Sequence, residues 1–370
     1  MTWRIFLKKF DWFLLITVLL LVSLGILMVY SATLGESGTD RSNTYRQIIY
    51  AGLGLVALIG ICIFDYRFFR GYARWLYFLI LAALVLVLFF GTEIRGSVRW
   101  FDLGITNFQP SELAKVVMII FLASFFSRYS DQMYRLKYVI ISGLLVLVPV
   151  ILIMLEPDFG SALMLVIIWL GMLLFVRIRW SYLGLVLGGM AGAFVVMWRF
   201  FLLDYQKNRL LVFLNPGRDP LGQGYNVAQA KIAIGSGGIM GKGLGHGSQS
   251  QLNFLPEQHT DFIFAVLAEE LGFVGTLFLF SLLAFLLYRL IRIGRLARDR
   301  FGMLLVVGAA ILILVQLFIN IGMNFGLLPV TGIPLPFLSF GGSSMITMMI
   351  CIGLVLSVGL RSETKHKTIG

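Results

Sequence analysis

Residues 246–272 read His246-Gly-Ser-Gln-Ser-Gln-Leu-Asn-Phe-Leu-Pro-Glu-Gln-His-Thr-Asp-Phe-Ile-Phe-Ala-Val-Leu-Ala-Glu-Glu-Leu-Gly272. The first half is polar and rich in amides, and Pro256 marks a turn. From residue 261 onward an apolar run begins that is long enough to cross a bilayer as a helix. A membrane helix seldom opens on so many groups able to carry protons and hydrogen bonds. Asp261 sits at the junction, with His259 and Thr260 before it and Glu269 and Glu270 after it. Taken alone, Thr260 or Asp261 reads as a helix cap, an oxygen that satisfies orphan N–H groups. The rest of the chain decides between a cap and chemistry.

Outward from this stretch the pattern repeats. The chain has a mean hydropathy of +0.92 and only 13% charged residues. Runs of about twenty apolar residues recur, which predicts an all-α polytopic membrane protein. Ten spans are expected, near 12–31, 47–64, 74–91, 111–127, 138–155, 159–176, 180–202, 261–287, 302–326 and 339–360. One large extracytoplasmic loop, about 203–260, separates the seventh and eighth. No soluble stretch is long enough for a second domain, so residues 1–370 are expected to form one integral membrane unit. The first apolar run is too long for a signal peptide and has no small-residue cleavage site, so it is read as a span. Cys62 and Cys351 lie far apart in or beside spans and suggest neither a disulfide nor a metal site.

The formal charge of +12 invites a nucleic-acid reading. Its distribution argues otherwise. Arg4, Lys8 and Lys9, then Arg67, Arg70 and Arg74, then Arg128, Arg135 and Lys137, then Arg177 and Arg179, then the run Arg289 to Arg300, and finally Arg361, Lys365 and Lys367 all fall on one side of the predicted membrane. The acids there are Asp11, Asp65, Asp131, Asp299 and Glu363. By the positive-inside rule this side is cytoplasmic and both termini are inside. The basic surplus is topology and inner-face anchoring near anionic lipid.

The opposite, outer side carries the chemical groups. Arg46 closes a short polar loop, and loop 92–110 holds Glu93, Arg95, Arg99, Trp100 and Asp102. Next comes Gln109-Pro110-Ser111-Glu112-Leu113-Ala114-Lys115, where Pro110 suits a first helical turn and Glu112 and Lys115 share a face three residues apart. Ionisable residues within a span are functional candidates by default, although this pair can also serve only each other. Glu156-Pro157-Asp158-Phe159-Gly160 is a tight turn whose carboxylates suit a cation, sugar hydroxyls or simple capping. The long loop brings Lys207 and Arg209, a segment at 225–234 fit for a short amphipathic surface helix, and the glycine-rich run Gly235 to Gly247. Such a run can wrap an anion or be a plain surface loop, and no Walker ending follows, because Lys242 precedes Gly243. Gln316, Asn320 and Asn324 form a polar stripe suited to interhelical hydrogen bonds. The uncharged segment Pro329 to Ser344, with three prolines, suits a packed re-entrant turn.

An anionic, amphiphilic, membrane-held substrate fits this arrangement, because it would meet Arg46, Arg99, Lys115, Lys207 and Arg209 beside lipid. Moving a sugar from a lipid diphosphate to a hydroxyl needs a base for the proton and cationic or metal stabilisation for the departing diphosphate. Asp261 is the candidate base. A helix N-terminus favours its ionised form and so weakens it as a base, while burial or the neighbours Glu257, Glu269 and Glu270 act the other way. At 100° per residue Glu269 lies about 80° around the helix from Asp261 and Glu270 is about opposite, so the three cannot line one site. An unpaired charge at mid-membrane costs about 2.5–3.5 kcal/mol on insertion scales, so at least one of the two needs a partner or a proton.

These segments together resemble the SEDS family (shape, elongation, division and sporulation), in the expected order from the first span to Gly341-Gly342-Ser343-Ser344. The resemblance rests on Gln109 to Lys115, Glu156 to Gly160, Asn215-Pro216, Leu255 to Phe264, Glu269 to Gly272 and Pro334 to Gly342, with Phe340 standing where Tyr is common. It implies a ten-span fold and a peptidoglycan glycosyltransferase that polymerises lipid II at the outer face of the bacterial cytoplasmic (inner) membrane. It places the family's essential aspartate on Asp261 and its acid–base pair on Glu112 and Lys115. It implies lipid II and the growing glycan strand as ligands, a class B penicillin-binding protein transpeptidase as partner, and the elongation machinery around them. A divalent cation, magnesium or manganese, is admitted by the family, but no residue here is assigned to a metal. Arg46, Arg99, Arg209, Lys207, Glu156, Asp158 and His259 complete the candidate substrate-binding set. The Ala268-Glu-Glu-Leu-Gly-Phe273 stretch and the short tails resemble the elongation branch, RodA, more than the division branch, FtsW.

Two readings of other classes compete. A lipid II flippase predicts polar groups near the midplane and related halves with broken helices. A silent scaffold for the transpeptidase predicts that Asp261 is dispensable.

Overall fold

The computed structural model describes residues 9–34, 42–94, 97–102, 104, 107–200, 202, 204–219, 222–252 and 254–362. Arg4, Lys8, Arg95, Glu363, Lys365 and Lys367, used above for orientation or as outer charges, lie outside the described residues, as does the side chain of Glu93.

Among the described residues nine helices are long and apolar enough to cross a membrane. They are α1 (Trp12–Thr33), α2 (Ser42–Ile63), α3 (Tyr66–Phe90), α4 (Pro110–Arg128), α5 (Leu136–Leu155), α7 (Trp180–Phe200), α11 (Ile263–Arg295), α12 (Arg300–Asn324) and α13 (Gly342–Leu360). A shorter apolar helix, α6 (Phe159–Leu173), packs among them as the tenth. Between α3 and α4 the chain forms a small antiparallel ribbon, β1 (Thr92–Ile94), β2 (Ser97–Asp102) and β3 (Asn107–Phe108), which the sequence did not announce.

The helices start and pack for identifiable reasons. Asp11, Asp65, Asp158 and Asp299 each accept a backbone N–H at the start of α1, α3, α6 and α12. Asp65 starts α3 at Tyr66 rather than near residue 74, because the arginines of its first turns stand on exposed faces and cost the helix nothing. Small residues set the close crossings. A Cβ at Gly353 of α13 would lie 2.7 Å from the Leu58 carbonyl of α2, and one at Gly308 of α12 would lie 2.5 Å from Ile119 of α4. Helix α4 is the most enclosed, and α7 is the opposite, with no buried residue along its length.

One end of the bundle is laced by ion pairs that join distant elements: Arg289 with Asp11, Arg67 with Asp299, Arg361 with Asp65, and Arg300 with Asp131. The other end carries the ribbon, the 156–158 turn and the long segment before α11. That segment is largely helical: α8 (Asp204–Leu214), α9 (Gln223–Ser236) and α10 (Ser248–Gln251) fill it. The surface helix expected at 225–234 is the core of α9, and it is not merely on the surface. Ala230 and Ala233 are buried with Phe262, Ala265 and Val266 of the 262–266 segment.

The span expected at 261–287 is also different. Helix α11 is broken at Gly272, whose φ of 64° and ψ of −159° suit glycine almost alone. The glycine-rich loop repairs the break from both sides. Lys242 N and Gly243 N donate to the carbonyls of Glu269 and Glu270, each at 3.0 Å, and Phe273 N and Val274 N donate to the carbonyls of Gly238 and Ile239 at 2.9 and 3.1 Å. A break inside a membrane leaves polar backbone that must be re-satisfied, and this loop does so.

The segment 333–340 folds back into the bundle. Leu335, Phe337 and Leu338 are buried, and a Cβ at Gly25 of α1 would meet the Phe337 and Leu338 backbone. The expected packed re-entrant turn is therefore present.

Candidate active site

A cavity of about 740 Å³ opens at the end of the bundle opposite the ion-pair network. Its wall is built from the start of α2, the ribbon, the start of α4, the 157–161 turn, α8, the 257–261 turn and the last loop. Of the residues singled out in the sequence, it brings together Arg46, Arg99, Glu112, Lys115, Asp158, Arg209 and Asp261. Lys207, Glu156 and His259 are not on its lining. Lys207 is half-buried on α8, Glu156 is buried behind the wall, and the His259 ring lies edge-on to Phe340, which does line it.

Asp261 is not the cap of α11. Phe262 is, and Ala265 N donates to the Phe262 carbonyl at 2.9 Å. Residues 257–262 instead wind around one oxygen: the Glu257 carbonyl accepts from Thr260 N, Asp261 N and Phe262 N at 3.2, 3.1 and 3.3 Å. Glu257 holds a positive φ of 53° to allow it. The outward carbonyls of the turn are then gripped from other elements. His259 O accepts from Phe340 N at 2.9 Å, and Thr260 O accepts from Ser339 Oγ at 2.6 Å. Asp261 O accepts from Asn320 Nδ2 and Asn324 Nδ2, both at 3.1 Å. Beside the carboxylate lies Gly332, where an added Cβ would stand 3.8 Å from Asp261 Oδ2.

Across the cavity Lys115 Nζ donates to Glu112 Oε1, and both residues are buried. This is an ion pair at the foot of the cavity rather than a pair in solvent, and the second oxygen of Glu112 has no hydrogen-bond partner among the described residues. Asp158 caps α6 through Ser161 N at 3.0 Å, and its other oxygen accepts from Gln109 Nε2 at 3.1 Å and Ser111 Oγ at 3.3 Å. Capping and cavity lining are thus one role for Asp158, not alternatives. Arg99 braces the same turn, donating from Nε to the Glu156 carbonyl at 2.8 Å and from Nη2 to the Pro157 carbonyl at 2.6 Å. Burial, together with the nearby Asp158 charge, pushes the Glu156 carboxyl up to about 8, against a smaller lowering by Arg99.

The two glutamates of α11 face away from this cavity. Glu269 Oε1 accepts from Lys242 Nζ at 2.7 Å, Gln249 N at 3.0 Å and Ser248 Oγ at 3.2 Å. Glu270 accepts from Ser31 Oγ, which in turn accepts from Gly245 N at 2.8 Å. The one cation of the glycine-rich run, Lys242, is therefore paired with the protein's own Glu269. The partner that the charge argument demanded is Lys242.

Sequence reasoning missed Tyr50, Asn107, Thr331 and Ser343 on the lining. Ser343 had a positional signal, since it lies in the uncharged last loop, and its hydroxyl joins Gln109 N to the Asn107 carbonyl. Among the described residues no three His, Cys, Asp or Glu side chains gather to hold a metal ion. The divalent cation implied by the resemblance finds no protein-only cage in them. The chain's own means of stabilising a departing anion are Arg46, Arg99, Lys115 and Arg209, and its candidate proton acceptor is Asp261.

Comparison with known proteins covers nearly all of the chain. The profile of the FTSW_RODA_SPOVE family, described as "Cell cycle protein", matches residues 11–364. The chain is 40% identical over 352 residues to peptidoglycan glycosyltransferase MrdB of Escherichia coli K12, covering 95% of each chain. It is 39% identical over 361 residues to the probable peptidoglycan glycosyltransferase FtsW of Hydrogenovibrio crunogenus, covering 95% of this chain and 92% of that one. Among solved structures, the rod shape determining protein RodA of Thermus thermophilus superposes with a TM-score of 0.72 at 31% identity, over 96% of this chain and 98% of that one. A chain from a structure described as "Structural coordination of polymerization and crosslinking by a peptidoglycan synthase complex" superposes with a TM-score of 0.78 at 36% identity, over 95% and 97%. The chain, a multi-pass bacterial membrane protein, belongs to the FtsW/RodA/SpoVE family.

Proposed function

We propose that this protein is a peptidoglycan glycosyltransferase that joins lipid II into glycan strands during cell elongation. The observation that carries the reading is the cavity in which Asp261 faces the same space as Arg46, Arg99, Lys115 and Arg209. The acceptor hydroxyl gives its proton to the Asp261 carboxylate as its oxygen attacks the anomeric carbon. The bond from that carbon to the diphosphate oxygen breaks, and the lipid diphosphate leaves against the cationic wall. The names of the relatives support this chemistry, since both MrdB and FtsW are named as peptidoglycan glycosyltransferases.

Orientation follows from charge. The arginine-rich, ion-paired end is cytoplasmic by the positive-inside rule, so the cavity faces the outer side of the inner membrane, where a lipid-linked substrate is presented. A class B penicillin-binding protein is the expected partner, supported by the likeness to a chain of a complex described as coordinating polymerization and crosslinking. A division role, as for FtsW, is the second reading, and a flippase is less well supported, because the lining groups crowd one end instead of the midplane.

The test is polymerisation of labelled lipid II by the purified protein with its cognate transpeptidase. Wild type should make long strands, and Asp261→Asn should make none while remaining folded and partner-bound. Normal strands from the variant would return Asp261 to a structural role and move the flippase and scaffold readings ahead.

A further inference from the structure

The polar stripe on α12 is more than interhelical hydrogen bonding. The orphans of a helix start are its first N–H groups, whereas a carbonyl that precedes the first ladder acceptor belongs to the incoming chain and, where buried, needs a donor from elsewhere. At the start of α11 the first ladder bonds run to Phe262 O, from Ala265 N and Val266 N. The carbonyl just before it, that of Asp261, is left outside the ladder. Two buried amides from another helix take it up. Asn320 Nδ2 and Asn324 Nδ2 converge on this single oxygen at 3.1 Å each, and neither residue has any solvent exposure. Asn320 also reaches the Ile333 carbonyl at 2.9 Å, and Asn324 also reaches the Asn320 carbonyl at 2.8 Å. Three pieces are tied at one point: the Asp261 backbone, helix α12 and the last loop, whose Gly332 lies beside the Asp261 carboxylate.

We infer that Asn320 and Asn324 are positioning residues for Asp261, fixing its peptide plane so that its carboxylate keeps one aim into the cavity. The inference rests on the proposed role of Asp261. Neither asparagine lines the cavity, so neither binds substrate. The physical reason for the design is local. The turn that holds Asp261 is wound on the Glu257 carbonyl and has no regular ladder of its own, so its orientation has to come from outside. A proton acceptor that tilts by an ångström loses rate steeply, of the order of a hundredfold. Two donors on one carbonyl restrain tilt in a way that one donor cannot.

The experiment compares Asn320→Leu, Asn324→Leu and the near-isosteric Asn324→Asp with wild type and Asp261→Asn, in the lipid II polymerisation assay with the cognate transpeptidase. Thermal unfolding and size-exclusion profiles establish which variants are folded. Gln316→Leu is the control, a buried polar residue one turn earlier on the same stripe that makes no contact with Asp261 in the hydrogen-bond network. The expected result is a kcat lower by about tenfold to a hundredfold for each Asn324 variant, with KM within about twofold and Gln316→Leu within about twofold of wild type. In an Asp261→Glu background, where the carboxylate is already displaced, Asn324→Leu should cost much less than in wild type. Three results overturn the inference: folded Asn variants with unchanged kcat, an equal loss for Gln316→Leu, or a loss that is fully additive with Asp261→Glu. A wild-type protein that makes no strands, or an Asp261→Asn variant that polymerises normally, would instead overturn the proposed function beneath it.

Discussion

Within a dozen residues the chain places three carboxylates in two opposed settings. Asp261 is carried on a turn whose backbone is gripped by α12 and the last loop, while its side chain borders the cavity. Glu269 and Glu270 are carried on the broken end of a helix, and their side chains are what is gripped: by Lys242, Ser248 and Gln249 in one case and by Ser31 in the other. The first arrangement fixes the main chain and leaves the acid facing the reaction space. The second uses the acid itself as the fastener. The two settings also differ in depth: Glu269 and Glu270 are fully buried among their donors, while Asp261 is half-buried at the cavity wall.

That contrast can be attacked at several points. The largest effect is expected at the buried ion pair below the cavity. Lys115→Met strands the Glu112 charge, and breaking such a pair costs about 3–5 kcal/mol, so chemical denaturation should show a severe loss of stability along with lost polymerisation. A variant as stable as wild type would mean that the pair is not enclosed as described. Next comes the helix break. Gly272→Ala forces a side chain into a conformation that costs about 1–3 kcal/mol and drives its Cβ against the Gly241 backbone. The protein should melt lower and expose the glycine-rich loop to limited proteolysis, while the folded fraction keeps its KM.

The 156–158 turn gives a pH signature of intermediate size. A carboxyl whose folded-state value lies near 8, above its ordinary 4.5, holds its proton more tightly when folded. Its contribution to stability is therefore present at low pH and lost as pH rises from 4.5 through 8. Glu156→Gln should flatten that part of the stability profile, measured by thermal unfolding between pH 5 and 9, and an unchanged slope would refute the assignment. The smallest effect is expected for Lys207→Ala, because Lys207 stands on α8 off the cavity lining, and its rate should stay within about twofold of wild type. A large drop there would put Lys207 back among the substrate contacts.

Much of this was legible in the sequence, because apolar length reports spans and basic residues report one face. The crowding of Arg46, Arg99, Glu112, Lys115, Asp158, Arg209 and Asp261 at one end followed from the span positions alone. What the sequence hid is tertiary. The break at Gly272 follows Glu269 and Glu270 closely, but nothing local says that a distant loop takes up the backbone groups it leaves. The partner of the Asn320–Asn324 stripe is a backbone carbonyl, and a carbonyl has no letter in a sequence. The glycine-rich loop reads in the sequence either as a wrap for an anion or as a plain surface loop, and only the fold reveals that its Lys242 pairs with Glu269. Lys207, Glu156 and His259 belong to the candidate set by charge, outer-side position and resemblance, yet none lines the cavity: Lys207 stands half-buried on α8, Glu156 is buried, and His259 sits in the 257–262 turn against Phe340.

The most direct test of the contrast is a paired measurement on Asp261→Asn and Glu269→Gln, each assayed for lipid II polymerisation rate and for thermal stability in the presence of the cognate transpeptidase. The account predicts a crossover. Asp261→Asn keeps its melting temperature within a few degrees and loses strand synthesis by a factor of about a hundred or more. Glu269→Gln loses about 1–3 kcal/mol of stability, and its folded fraction keeps a rate close to wild type. If Glu269→Gln abolishes synthesis while fully folded, or Asp261→Asn unfolds the protein with its specific rate intact, the division of labour between the two settings is wrong.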